Sequence, residues 1–236
     1  MLKVDLHCHS LFSKCGLHSI LEMLNQAKAR NLDALAITDH GLTLGGHLSG
    51  PFFDRLIDPV PGIKLLKGVE CNVLDKQGNI DFPECYAAHL DVILLGLHPN
   101  IAPGHTQKDR TEMLQAAITK NPSVDIITHL DSQDYIVNFK TIVKTALKFN
   151  IAIELNNSKS RPGYGDEKVT RKLIQTCKDL NCPMAVCSDA HAVNEVGDDS
   201  HVRGFIKDMD FPEKLIINRS LQSTMDFLKN KKMAKP

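Results

Sequence analysis

Residues 5–10 read DLHCHS and close a β-like run over residues 3–9. Strand side chains alternate, so Val4, Leu6 and Cys8 are expected on one face and Asp5, His7 and His9 on the other. Two imidazoles at i and i+2 on one face can grip a single ion together. Further β-like runs follow at 34–40, 64–73, 92–98, 125–130, 151–157 and 184–191. Helical patterns separate them, at 20–30, 106–120, 139–149, 167–180, 201–209 and 221–231. Ser19 and Glu22 form an S-x-x-E capping box at the first helix. This alternation predicts a parallel sheet wrapped by helices. With seven strands and no glycine-rich dinucleotide loop, a barrel is favoured over an open sheet. The sequence shows no repeat, low-complexity stretch or long linker, so one domain over 1–236 is expected.

The polar residues fall late on these runs. Leu35 and Ile37 oppose His40, Leu95 and Leu97 oppose His98, and Ile151, Ile153 and Leu155 oppose Glu154 and Asn156. In parallel β/α barrels the carboxyl ends of the strands meet at one mouth, where active sites are built. His7, His9, His40, Glu70, His98, His129, Asp189 and His191 would all gather there. Taken singly, a histidine such as His98 or His129 is more often a hydrogen-bonded core residue. A whole ring of imidazoles and carboxylates is different, because each buried member needs a partner or costs several kcal/mol. Divalent ions satisfy them together, and the N/O donor mix suits zinc, manganese or iron better than magnesium or calcium.

Composition limits the rest. The 236 residues carry 28 basic and 28 acidic side chains, so no global field draws in nucleic acid or an anionic membrane. There is no Trp and there are only three Tyr, which argues against a base-stacking platform. The opening MLKVDLHCHS lacks the apolar core of a signal peptide, and a cytoplasmic protein is expected. Seven cysteines, none in CxxC spacing, are expected to be reduced. Residues 41–61 read as a long, function-bearing βα loop, and 73–82 as a hairpin excursion.

The motifs DLHCHS (5–10), ITDHG (37–41), GVE (68–70), GLH (96–98), ITHL (127–130), IELNNS (153–158) and CSDAH (187–191) together resemble the polymerase and histidinol phosphatase (PHP) family. Within it they are most similar to the YcdX-like phosphatases, over almost the whole chain. The resemblance implies a distorted (β/α)7 barrel with a trinuclear metal centre at the carboxyl ends of the strands. It implies that His7 and His9 hold one ion with Glu70 and Asp189, and that Glu70 bridges to a second site joined by His40. His98 and His129 would serve the other two ions, and His191 the third. The family usually has a His or Asp shortly after the second motif histidine. Here ungapped alignment gives Cys15, with His18 three residues on. Either could be the missing ligand, and if neither is, the centre is binuclear.

The resemblance implies hydrolysis of small phosphomonoesters, a hydroxide bridging the ions being the attacking group, with no protein acid assigned. Asp39, of opposite parity to His40, would orient imidazoles rather than bind metal. Arg161, Lys159, His105 and Arg110 are the candidate cations and imidazole for the substrate phosphate. Two or three ions are expected, zinc ahead of manganese or iron. A small phosphorylated substrate is the expected partner, with no membrane or nucleic acid, on a monomer or small homo-oligomer. Three rival readings are a phosphodiesterase or nuclease of the same family, an amidohydrolase-type C–N hydrolase, and a non-catalytic metal-binding module. The second would place a modified lysine where Glu70 stands and lacks a match to ITDHG. The third would be expected to lose ligands.

Overall fold

The computed structural model describes residues 2–47, 49–98, 101, 106–160 and 165–233. Among them are seven parallel strands in the order β1 to β7, forming a nearly closed (β/α)7 barrel. The strands are β1 (Val4–Asp5), β2 (Ala34–Ile37), β3 (Lys64–Asn72), β4 (Val92–Gly96), β5 (Ile126–Ile127), β6 (Ala152–Asn156) and β7 (Met184–Cys187). The helices are α1 (Ile20–Ala29), α2 (Gly50–Arg55), α3 (Gln107–Lys120), α4 (Phe139–Lys148), α5 (Glu167–Asp179), α6 (Ser200–Asp208) and α7 (Leu221–Met233). The expected capping box is present, Ser19 accepting from the Glu22 N–H while Glu22 accepts from the Ser19 N–H. The loop at 41–61 is not irregular throughout, because Pro51 in the first turn starts the short helix α2.

Two apolar clusters fill the molecule. Leu35, Ile37, Ile93, Leu95, Ile153 and Leu155 pack outward against the helices. Ala34, Ala36, Leu66, Leu94, Ile126 and Ala185 point inward and are sealed by Leu228 of α7. The alternation expected for β2, β4 and β6 therefore holds. In β1 it does not. Val4 and Leu6 belong to the inner cluster and Cys8 to the outer one, so the register turns over between them. The reason is the seam. β1 ends at Asp5, and among the described residues no ladder joins it to β7; an isolated bridge, Cys8–Ala190, follows beyond both strands. Without a ladder on one side, the chain is free to twist past Leu6 and present both His7 and His9 to the mouth.

Side chains close that seam instead of backbone. Asn218 Nδ2 donates to the Val4 and Val186 carbonyls, at 2.8 and 2.5 Å, and its Oδ1 accepts from the Val186 N–H at 3.0 Å. Asp5 accepts from Ser188 Oγ at 2.5 Å and from the Ser188 N–H at 3.1 Å. A buried polar pair satisfied in this way replaces the missing ladder bonds.

Four helices end in one motif that the sequence disguises by using no glycine. Asn31, Asn150, Asn181 and Asp210 adopt φ of 58°, 51°, 53° and 47° just past α1, α4, α5 and α6. Each N–H, and that of the next residue, turns back onto the last helical turn; for example Asn150 donates to Leu147 at 3.3 Å and Ile151 to Ala146 at 2.9 Å. These are Schellman ends, with Asn or Asp tolerating the left-handed conformation. Asn150→Ala is expected to lower stability by about 1 kcal/mol, because alanine lacks that tolerance. A urea midpoint shift at unchanged slope would show it, and an unshifted midpoint would refute it.

Candidate metal centre

Glu70 lies at the end of β3 with its side chain 1% exposed. Five imidazoles surround it. Oε1 is 3.3 Å from His7 Nε2, 3.3 Å from His98 Nε2 and 2.9 Å from His129 Nε2. Oε2 is 3.5 Å from His9 Nε2 and 2.9 Å from His40 Nδ1. Thr128 Oγ1 donates to Oε1 at 3.0 Å. Asp189 forms a second focus, its Oδ1 standing 3.6 Å from His7 Nε2, 3.4 Å from His9 Nε2 and 3.6 Å from His191 Nδ1. All eight residues gathered at the mouth in the sequence reading are thus together, and every one comes from the carboxyl end of a strand.

Among the described residues, three donor groups are compact enough to hold an ion: His7, His9 and Asp189; His40, Glu70 and His98; and His9, Cys15, His40 and His191. The tautomers test whether a cation fits. His7 Nδ1–H donates to Glu154 Oε1 at 2.7 Å, which leaves the lone pair on Nε2. Ser13 Oγ gives its proton to Asp39 Oδ1 at 2.6 Å, so it accepts from His9 Nδ1–H at 2.9 Å and from the His40 N–H at 3.0 Å. His9 therefore also turns a lone pair out at Nε2. The two Nε2 atoms are 3.0 Å apart. Facing lone pairs repel at that separation unless a proton or a metal ion sits between them, and a metal ion would serve both rings at once. Two nitrogens about 2.0–2.1 Å from one tetrahedral zinc ion would stand roughly 3.4 Å apart. The observed 3.0 Å is a little shorter, so the two rings converge closely enough to share one ion.

The electrostatics agree. Burial would raise the Glu70 carboxyl, but the His7 and His98 imidazoles outweigh it and hold Glu70 well below the usual range. Burial opposes charge on His7 as well, yet Glu70, Glu154 and Asp189 raise it well above an ordinary imidazole. His9 moves the other way, to about 3, since burial dominates and His40 and His7 add like charge. The carboxylates demand positive charge that the imidazoles cannot all carry as protons. Divalent ions would meet that demand at every ring at once.

Two of the candidate ligands are strained. His129 has φ 33° and Asp189 has φ 56°. Such conformations cost of order 1–3 kcal/mol each and persist where the surroundings enforce them. At His129 the enforcing contacts are the N–H bond to Glu154 Oε2 at 2.7 Å and the bare backbone of Gly96 beneath the ring. A Cβ on Gly96 would lie 2.7 Å from His129 Cε1.

The remaining predicted residues divide. Cys15 joins the cluster. Lys14 takes φ 62° and Gly16 packs flat on the Ser10 carbonyl, which folds the 10–16 loop back over the mouth. His18 is turned elsewhere, its Nδ1 accepting from the Val193 N–H at 3.3 Å. Lys159 Nζ reaches to 3.8 Å from Asp189 Oδ2. The Arg110 guanidinium instead donates to the Asp134 carbonyl at 2.8 Å. His105 and Arg161 lie outside the described residues. Asp39 acts on His9 and His40 through Ser13, not by direct contact. Sequence reasoning passed over Ser13 as a site residue and left Glu154 as a polar inward residue without a role. Glu154 was the more findable, being a fully buried carboxylate on an inward strand position.

The PHP domain family model matches residues 5–195. A protein of Caldicellulosiruptor saccharolyticus named "Probable phosphatase" is 32% identical over 231 residues, covering 97% of this chain and 96% of that one. One of the same name from Aeromonas hydrophila subsp. hydrophila is 32% identical over 237 residues, covering 97% and 94%. Among solved structures, a histidinol phosphate phosphatase from Lactococcus lactis subsp. lactis, complexed with zinc, L-histidinol and phosphate, superposes with a TM-score of 0.64. It is 15% identical and the match covers 89% of this chain and 94% of that one, so the likeness is one of fold.

Proposed function

Because the chain belongs to the PHP domain family, we propose that it is a metal-dependent phosphatase acting on small phosphomonoesters at a centre of two or three divalent ions. The observation that carries this reading is one buried carboxylate, Glu70, ringed by five imidazoles. The name shared by relatives 32% identical over nearly the full chain supports phosphoester chemistry. His7, His9, Glu70 and Asp189 would hold one ion. His98 and His129 would hold a second with Glu70. His40 and His191 would serve a third. Zinc is the first choice for an imidazole-rich set, with manganese or iron as alternatives.

Bound ions would supply Lewis acidity and lower the pKa of a water at the site. The protein's own part is positional. Glu154 and Ser13 fix the His7 and His9 tautomers, and Thr128 orients Glu70. Lys159, 39% exposed beside Asp189, would attract and align the phosphate at the rim. Because that charge is partly screened by solvent, Lys159→Ala is expected to raise KM for a phosphomonoester only about 3- to 10-fold, with kcat little changed. Steady-state kinetics that left KM unmoved would remove it from the site.

The test of the function compares p-nitrophenyl phosphate with bis-p-nitrophenyl phosphate. Protein loaded with zinc or manganese is set beside a chelated control and His7→Ala. Metal-dependent release from the monoester, lost in both controls, is expected. Preference for the diester would turn the reading to phosphodiester cleavage. No release from either ester by fully loaded protein would overturn it.

A further inference from the structure

We infer that Cys15 makes one ion position a thiolate site, chemically unlike the rest of the centre, and so selective for a thiophilic ion such as zinc, cobalt(II) or cadmium over manganese. The inference rests on the metal-centre reading above. Cys15 Sγ, His40, His191 and His9 place one ligand atom each within 4.8 Å of one another. His9 is already engaged, since Ser13 holds its Nδ1 and its Nε2 faces His7 and Asp189. That leaves sulfur and two imidazoles as the donors particular to this position.

The donor chemistry is consistent with a thiolate. Cys15 Sγ stands with the His191 and His40 imidazoles, and a divalent ion held by both rings would displace the thiol proton. The buried thiols near the barrel, Cys8, Cys71 and Cys187, are instead packed in the apolar clusters. The remaining candidate positions offer only nitrogen and oxygen. Soft thiolate donors favour zinc and other thiophilic ions, whereas carboxylate-rich sites accept manganese readily. The centre would therefore sort metals, with a thiophilic ion on the outer side and exchangeable ions around Glu70. Cys15 is also the exposed member of the group, so its sulfur is open to an alkylating reagent whenever no ion holds it.

The test is cobalt(II) loading of the whole protein, followed by near-ultraviolet absorption and metal analysis. A sulfur-to-cobalt charge-transfer band is expected in the wild type and in His18→Ala, and its loss in Cys15→Ala together with one ion per chain. Manganese should fill one position fewer than zinc in the wild type. Cys15→Asp, which supplies a hard donor, should restore that manganese. Iodoacetamide should label Cys15 in metal-free protein and be blocked by zinc but not by manganese. If Cys15→Ala keeps the band and the full ion count, the thiolate site is wrong even where the Glu70 centre binds metal and hydrolyses the monoester. If the wild type binds no ion at all, the metal-centre reading fails with it.

Discussion

Glu70→Gln is expected to abolish phosphatase turnover, by roughly 10³-fold or more, and to empty more than one ion position at once. Both oxygens of Glu70 are in use, Oε1 toward His7, His98 and His129, and Oε2 toward His9 and His40. A carboxylate offers acceptors on both sides. The amide of glutamine must turn its NH2 to one of them, and it carries no charge to offset the cations. No neighbour can take over, because Asp189 is engaged with His7, His9, His191 and Asn156. The fold should survive, since the shape is conserved and the surrounding imidazoles no longer need to be charged. Two measurements decide. Metal analysis should show a loss greater than one ion per chain. Melting curves should show that zinc no longer stabilises the variant, whereas the wild type gains about 2.7 kcal/mol when free zinc exceeds its dissociation constant a hundredfold. A variant that retains the full ion count, or melts higher with zinc as the wild type does, would mean that Glu70 is not the shared ligand.

The eight residues of the mouth were legible because each sits at the end of a hydrophobic run, and run ends converge in a parallel barrel. Their roles as ligands remain a proposal, but their meeting is a matter of topology. What was not legible depended on contacts between distant loops. Period-two reasoning misassigned Val4 and Leu6, because a strand at an open seam lacks the ladder that enforces alternation. Cys15 and His18 were indistinguishable from spacing, since either could reach the mouth on a flexible loop. The left-handed turn at Lys14 and the contact of Gly16 with Ser10 separate them, and neither shows in a one-dimensional pattern. Ser13 looked like an ordinary loop serine. Its value comes from its three simultaneous partners, Asp39, His9 and His40, which are 26, 4 and 27 residues away.

The same reasoning gives Glu154 a measurable role. It touches none of the positions where an ion would sit, yet Oε1 accepts from His7 Nδ1–H at 2.7 Å while Oε2 accepts from the His129 N–H at 2.7 Å and from Asn156 Nδ2 at 3.0 Å. It thus sets the tautomer of one imidazole and the strained backbone of another, both of which face Glu70 Oε1. All three partners are donors, so the site needs acceptors at both oxygens. Glu154→Gln would set an NH2 against at least one N–H, and the buried mismatch cannot be relieved by water. Carboxylates behind ligating imidazoles are worth 10- to 100-fold in metal affinity. Because Glu154 supports two ligands, the upper part of that range, about 100-fold, is expected for zinc. Competition with a fluorescent chelator would measure it. The weakening should appear at the His7 and His129 positions while the cobalt band assigned to Cys15 persists, since Glu154 contacts none of Cys15, His40 and His191. Unchanged zinc affinity, or loss of the cobalt band along with it, would show that Glu154 holds the barrel together rather than tuning particular ligands.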